Sequence, residues 1–343
     1  MRVGKMKTRV AINGFGRIGR NTFKIAFERA DLEIVAINDL TDTPTLAYLL
    51  KHDSNYGNYD RDVKSDENHL IVNGQKIPVT AEKDPTKLPW KDLKVDVVIE
   101  STGRFTKSED AGMHIKAGAK KVVISAPTKS ADIETLVIGA NEKDLSKAGD
   151  IISNASCTTN SIASIMAIMD GEFGVEKAML TTIHSYTASQ VLQDGPAKDM
   201  REARAAAENI VPTTTGAAIA VTKTLPQLTD KFDGMSVRVP SPVVSLSDVT
   251  MVLKRNTTVE EINELFKKSV KEPYFQGIID VSDEPLVSKD YVGNSYSGVI
   301  DLLLTNVVAG NLVKVVAWYD NEWGYSNRLV ELVADLGKLL HKT

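Results

Sequence analysis

The 343-residue chain contains a single cysteine, five histidines and few aromatics, 6% in all. One thiol excludes an intrachain disulfide and a cysteine-built metal centre, so no metal site is expected. No apolar run is long enough to span a bilayer. No block of Lys and Arg forms a basic stripe, and the net charge is −4. Neither a membrane nor, as a primary role, a nucleic acid is therefore expected as a partner. The opening residues Met1 to Thr8 are basic, but they lack the apolar segment a signal peptide needs. They read as a short disordered lead, with Met6 as an alternative start. One cysteine without an export signal points to a reducing cytoplasm. Repeats and low-complexity linkers are also missing. What remains is ordinary globular material, 42% hydrophobic and 25% charged. It is too long for one core, so two domains are expected.

The first half is patterned to hold a dinucleotide. Arg9-Val10-Ala11-Ile12-Asn13 is a short apolar strand, and Gly14-Phe15-Gly16-Arg17-Ile18-Gly19 follows at once. Ile18, Thr22, Ile25, Ala26 and Arg29 then recur at helical spacing, with Phe23 and Phe27 beside them. In a strand, Gly-x-Gly-x-x-Gly, helix unit, Gly14 permits the tight turn and Gly16 lets backbone approach a pyrophosphate. Gly19 lets the helix close on the strand. The pyrophosphate would lie on the first N–H groups of that helix. A second strand, Glu33 to Asn38, ends in Asp39. A carboxylate there accepts from ribose hydroxyls and repels a 2′-phosphate, which favours NAD over NADP. Further strands are expected at 95–100, 121–125, 135–139 and 150–154, with a helix at 108–117. Alternating strands and helices make a doubly wound sheet, whose ligands sit beyond the carboxyl ends of the strands. Gly103, Ser125 and Cys157 all follow strand ends and can share one crevice.

Cys157 sits among Asn154, Ser156, Thr158, Thr159 and Asn160, just before the apolar run Ile162 to Met169. These small polar residues are helix caps. A thiol at a helix N-terminus is expected to have a lowered pKa and to act as a nucleophile. Beyond it, a strand at 178–183 leads into His184. An imidazole within about 3 Å of the thiol would hold a thiolate as an ion pair and shuttle a proton. Thr187, Thr215, Gly216 and Arg238 supply hydroxyl, N–H and guanidinium donors suited to phosphate. Long strands at 243–253 and 313–319 suggest an antiparallel sheet. Thr258-x-x-Glu261 is a capping box that opens a helix to Lys271. The fold class is thus α/β, a Rossmann-type doubly wound domain followed by an α+β domain with a mostly antiparallel sheet.

Several segments appear in one family's order over nearly the whole chain. They are Ile12-Asn13-Gly14-Phe15-Gly16-Arg17-Ile18-Gly19-Arg20, Asn38-Asp39, Glu100-Ser101-Thr102-Gly103 and Ser156-Cys157-Thr158-Thr159-Asn160, then His184-Ser185-Tyr186-Thr187, Pro212-Thr213-Thr214-Thr215-Gly216, Arg238-Val239-Pro240 and Trp318-Tyr319-Asp320-Asn321-Glu322. The chain resembles the phosphorylating glyceraldehyde-3-phosphate dehydrogenases. The cysteine segment is highly specific, whereas the glycine loop is shared by many dehydrogenases. The resemblance implies that Cys157 attacks the aldehyde of glyceraldehyde 3-phosphate and that His184 raises its reactivity and takes the hydroxyl proton. Hydride passes to NAD held by Gly14, Gly16, Arg17, Ile18, Gly19, Asp39, Lys83, Thr102, Gly103, Ser125 and Asn321. Inorganic phosphate then cleaves the thioester to give 1,3-bisphosphoglycerate. Thr187 and Arg238 resemble the substrate-phosphate site. Ser156, Thr158, Thr215 and Gly216 resemble the attacking-phosphate site, with Arg201 beside them. The resemblance also implies a homotetramer, a cofactor domain of residues 1–156 and 321–343, a catalytic domain of residues 157–320, and a C-terminal helix from Asn327 to Leu340.

Some positions depart from the family pattern. Ser161 stands where a second cysteine is usual, Ser164 replaces a proline, and Lys83 stands where many members have an adenine-contacting arginine. Glu202 stands where some bacterial members have an arginine. Ser241 and Val243 replace a threonine and an asparagine. Three other readings stand beside this one: an erythrose-4-phosphate dehydrogenase, which hydrolyses its thioester, an RNA-binding use of the dinucleotide pocket, and a cysteine hydrolase. Thr187 and the Thr213–Gly216 run favour the phosphorylating enzyme. A binding module has no need of Cys157 and His184, and a hydrolase none of the glycine loop.

Overall fold

The computed structural model describes residues 6–342, so the start of the basic lead, residues 1–5, lies outside the described residues. The chain divides into two compact units. The first takes Met1–Leu136, Lys143–Ala155 and Ser326–Thr343, less the undescribed ends; the second takes Val137–Glu142 and Ser156–Tyr325.

In the first unit the strands of the main sheet are β1 (Thr8–Asn13), β2 (Leu32–Asn38), β3 (Val63–Asp66), β4 (His69–Val72), β5 (Gln75–Thr80), β6 (Val97–Glu100), β7 (Lys121–Ile124), β8 (Glu134–Thr135) and β9 (Ile151–Ser153). They form one sheet in the order β8-β9-β7-β6-β1-β2-β5-β4-β3. Every neighbouring pair from β8 to β5 is parallel. The strand order reverses around β1, which pairs with β2 on one side and β6 on the other, and a crevice opens at such a switch point. Helices α1 (Arg17–Phe27), α2 (Thr43–Lys51) and α3 (Ser108–Lys116) belong to this unit. β1 and β6 are buried almost throughout, as a strand covered on both faces must be. The buried stripe of α1 centres on Thr22, Phe23 and Ala26. Arg29, expected on that stripe, falls after the helix and pairs with Asp31.

Two expectations change here. The strand expected at 135–139 shrinks to Glu134–Thr135. The chain turns at Val137, whose N–H is taken by the Asn141 side chain and whose carbonyl accepts from Ala140 and Asn141, and Gly139 adopts φ +85°. The antiparallel meander β3-β4-β5 was not anticipated. Its β4–β5 turn is Asn73-Gly74, both at positive φ (48° and 78°), the two-residue hairpin signal.

The second unit has β10 (Val175–Ser185), β11 (Val211–Thr214), β12 (Phe232–Val239), β13 (Ser245–Leu253), β14 (Ile279–Ser282), β15 (Gly298–Asp301), β16 (Asn306–Val308) and β17 (Leu312–Tyr319). The order is β11-β12-β10-β13-β17-β15-β14, with β16 also on β17. Most pairs are antiparallel, and β10–β12 and β14–β15 are parallel. Pro212 to Thr214 lie in the edge strand β11, where a proline without an N–H is tolerated. Helix α4 (Cys157–Phe173) packs on β10, β13 and β17. The sheet also carries α5 (Ala217–Thr224) and α6 (Val259–Ser269). Thr258 caps α6 as expected, accepting from the Glu261 N–H, but the Glu261 carboxylate takes the Thr257 hydroxyl at 2.7 Å. α7 (Trp323–Leu340) closes the chain, starting a turn before the expected Asn327.

Candidate active site and cofactor cleft

In the first unit the carboxyl ends of β1, β2 and β6 surround a cavity of about 460 Å³. Among the expected cofactor residues, Gly14, Gly16, Asp39, Lys83 and Thr102 line it. The glycines are explained by contact. Gly14 has φ +91°, and a β-carbon on it would stand 2.7 Å from the Thr102 nitrogen. Gly16 has open space around it and caps α1 without any side-chain hydrogen bond. Asp39 is anchored by both oxygens, accepting from the Phe15 N–H at 2.7 Å and the Thr41 N–H at 3.0 Å. Room beside Gly16, an uncapped helix start and a fixed carboxylate at the end of β2 together fit a dinucleotide.

Other expected cofactor residues lie off this lining. Arg17 donates to Asp53 at 2.8 Å. Ile18 is half-buried in α1, Gly103 is exposed at φ +71°, and the Ser125 N–H bonds the Glu100 carbonyl at 2.9 Å. Asn321 belongs to the second unit, where its side-chain oxygen accepts from Ser185 at 2.9 Å and Ser245 at 3.1 Å.

Beneath the cavity runs a polar network that the sequence reading did not include. The Trp90 indole donates to His114 Nδ1 at 3.0 Å. An indole only donates, so Nδ1 accepts, the ring proton sits on Nε2, and Nε2 donates to Glu100 at 3.1 Å. Glu100 also takes the Asn13 amide and both the N–H and hydroxyl of Thr102. Asn38 donates to Asn13 at 2.7 Å. The signal was present: Asn13, Asn38 and Glu100 are each the polar last residue of a strand, directly after an apolar run.

In the second unit, Ser156 caps α4, its hydroxyl accepting the Thr159 N–H at 3.1 Å, and Cys157 is the first helical residue. His184 sits near the end of β10. The parallel register of β10 with β12 sets His184 beside Arg238. The result is a compact group: Cys157 Sγ lies 3.4 Å from His184 Nε2, and Arg238 Nη1 lies 2.6 Å from His184 Nδ1. His184 and Tyr319 meet edge to face at 6.1 Å. Tyr319 was also not foreseen; its hydroxyl bridges Thr158 at 2.8 Å and Thr182 at 2.9 Å.

The electrostatics differ from the expected ion pair. Burial pushes the Cys157 thiol up, outweighing the lowering effects of Arg238 and of the Thr158 N–H and hydroxyl. Burial and then the Arg238 charge push His184 down to about 3. Desolvation opposes charge on both the sulfur and the ring, and the Arg238 guanidinium adds to the effect at His184.

The expected phosphate residues scatter more widely. Thr158 is buried; its hydroxyl bonds Tyr319 at 2.8 Å, and both its N–H and its hydroxyl also interact with the Cys157 sulfur. The Ser156 hydroxyl is occupied as the cap. Thr187 bonds Ser189 at 2.9 Å on the surface. Thr215 accepts the Ala217 N–H at 3.2 Å, and Gly216 caps α5. Arg201 is exposed, and neighbouring Glu202 accepts the Thr213 hydroxyl at 3.1 Å.

Family comparison follows this geometry. Residues 8–108 match the NAD binding domain of glyceraldehyde 3-phosphate dehydrogenase, and residues 156–321 match its C-terminal domain. The chain belongs to the glyceraldehyde-3-phosphate dehydrogenase family. It is 54% identical over 330 residues to the glyceraldehyde-3-phosphate dehydrogenase of Geobacillus stearothermophilus, covering 96% of this chain and 98% of that one. Identity to the Thermotoga maritima enzyme is 55% over 333 residues, covering 96% and 99%. Identity to glyceraldehyde-3-phosphate dehydrogenase 1 of Bacillus subtilis is 52% over 334 residues, covering 97% and 99%. As a glyceraldehyde-3-phosphate dehydrogenase family member, the chain is an NAD-dependent oxidoreductase with a Rossmann-type cofactor fold and a catalytic fold. No described helix is long and apolar enough to cross a membrane.

Proposed function

We propose that the protein oxidises glyceraldehyde 3-phosphate, with inorganic phosphate as acceptor, to 1,3-bisphosphoglycerate through a thioester on Cys157. The observation that supports this most directly is the 3.4 Å contact between Cys157 Sγ and His184 Nε2, with a guanidinium beside it. The sulfur adds to the aldehyde carbon to form a hemithioacetal, and His184 takes the hydroxyl proton as the carbon–hydrogen bond breaks. The N–H groups at the start of α4 stabilise the oxyanion. NAD⁺, when bound, supplies the hydride acceptor. Gly14, Gly16, Arg17, Ile18, Gly19, Asp39, Lys83, Thr102, Gly103, Ser125 and Asn321 are assigned to hold it. Arg238 and Thr187 receive the substrate phosphate. Ser156, Thr158, Thr215, Gly216 and Arg201 are assigned to the attacking phosphate.

Residues 1–156 and 321–343 are read as the cofactor domain and residues 157–320 as the catalytic one. We place the enzyme in the cytoplasm as a homotetramer. Exposed apolar side chains on one face of the second sheet, Met179 at 60% and Met235 at 41%, support an interface.

The test is NADH formation from glyceraldehyde 3-phosphate with and without inorganic phosphate. Turnover should depend on phosphate, and Cys157→Ser should abolish it by several orders of magnitude while NAD binding persists. Equal rates without phosphate would overturn the proposal.

A further inference from the structure

Asn321 is the one residue assigned to NAD that belongs to the second unit, the unit that holds Cys157 and His184. It follows Tyr319 and Asp320, and the Tyr319 ring packs on His184. The hydride acceptor has to reach the carbon that Cys157 binds, so the end of NAD that meets Asn321 is the nicotinamide ring. The polar group on that ring is a carboxamide, whose oxygen accepts and whose nitrogen donates. An asparagine amide can meet it either way round, through Nδ2 or through Oδ1.

The neighbours of Asn321 decide which. Its Oδ1 lies 2.9 Å from the Ser185 hydroxyl and 3.1 Å from the Ser245 hydroxyl. The Ser245 oxygen already accepts the Ser185 N–H at 3.1 Å. Both serines are buried, so water does not complete either hydroxyl. With Oδ1 turned to the serines, each hydroxyl hydrogen has an acceptor. With the amide turned over, Nδ2 would donate to both serines, and their own hydrogens would have only each other's oxygens, 3.5 Å apart. At least one buried hydroxyl would then lack an acceptor, which costs more than a neutral hydrogen bond returns. The backbone here is pinned as well. Asp320 takes the Glu322 and Trp323 N–H groups at 3.0 and 2.8 Å and the Gly293 N–H at 2.8 Å. Nδ2 of Asn321 has no hydrogen-bond partner among the described residues.

We propose that Ser185 and Ser245 are positioning residues for the cofactor. By donating to Oδ1 they fix the Asn321 amide with Nδ2 outward, so the site reads the carbonyl oxygen of the nicotinamide carboxamide and not its amino group. Neither serine touches the cofactor; both act through Asn321. This inference rests on the assignment of Asn321 to NAD in the reading above.

Two NAD⁺ analogues separate the alternatives. The acetylpyridine analogue keeps the carbonyl and carries a methyl in place of the amino group. The thionicotinamide analogue keeps the amino group and replaces the oxygen with sulfur, a weaker acceptor. Binding of NAD⁺ and of each analogue to the intact protein is measured by calorimetry, without aldehyde or phosphate, so that no turnover contributes. Wild type should bind the acetylpyridine analogue within about threefold of NAD⁺ and the thionicotinamide analogue about tenfold more weakly, the scale of one neutral hydrogen bond. In a Ser185→Ala/Ser245→Ala variant the amide is free to turn, and the tenfold gap should shrink to about twofold or less. A purely structural role for the serines would weaken all three ligands alike and leave their ratios unchanged. The wild-type comparison stands without the variant, whose fold is checked by its urea midpoint. An inverted order in wild type, with the acetylpyridine analogue the weaker, overturns the inference. Three equal affinities do so too, as does a folded variant that keeps the wild-type ratios. If NAD⁺ itself does not bind, the functional reading falls; if it binds and the order is inverted, only the role of the serines falls.

Discussion

Gly19 packs so closely beneath Gly14 that a β-carbon on it would stand 2.1 Å from the Gly14 carbonyl oxygen. The obstacle is backbone, which has no rotamer to move aside. Gly19→Ala should therefore cost about 3 kcal/mol or more and weaken NAD binding with it. Gly16→Ala meets nothing within 4 Å. It should leave the urea midpoint nearly unchanged while NAD affinity falls, as read by calorimetry. Equal stability losses for the two variants would refute the division of labour between these glycines.

The Trp90–His114–Glu100 chain makes a second case. All three side chains are buried, so a lost donor is not replaced by water. His114→Leu should destabilise the protein by about 3 kcal/mol, because it leaves the Glu100 carboxylate short of a donor beneath Thr102. Trp90→Phe should cost about 2 kcal/mol through lost volume and a lost hydrogen bond. Both are measured by denaturant unfolding. A neutral His114→Leu would show that Glu100 is satisfied without the imidazole.

Tyr319→Phe removes one hydroxyl and takes a partner from two others, on Thr158 and Thr182. The expected loss is about 2 kcal/mol, with the first turn of α4 showing faster amide exchange. Unchanged protection there would mean that the bridge does not hold the nucleophile's helix in place.

His184 gives a pH prediction. Burial and Arg238 hold it at about 3 in the folded protein, below its ordinary 6.5. The unfolded chain therefore takes up the proton first as pH falls. The neutral ring's contribution is complete above about pH 6.5 and is lost progressively toward about pH 3. In phosphate-free buffer the stability advantage of wild type over His184→Asn should shrink across that window. A constant difference would contradict a depressed folded-state value.

What could be read from the sequence follows the range of the forces involved. The glycine loop was legible because steric exclusion is local: Gly14 at φ +91° and Gly19 under a carbonyl tolerate no side chain. The cap at Ser156 was legible for the same reason, since its partner Thr159 is three residues away. The Asn73-Gly74 hairpin was equally local and simply went unread. The contact between His184 and Arg238 was not legible, because it depends on parallel pairing between strands 54 residues apart. The bond between the Thr158 hydroxyl and Tyr319 was not legible either, because the two lie 161 residues apart. The thiol's raised pKa likewise reflects burial, which no short motif encodes.

Cys157 is the one sulfhydryl in the chain, and part of its surface stays open. Any thiol-directed dye, isotope or mass tag can consequently attach at a single atom, the one proposed to perform the chemistry. Counting bound label per chain then counts competent centres directly, with no background cysteine to be engineered away first.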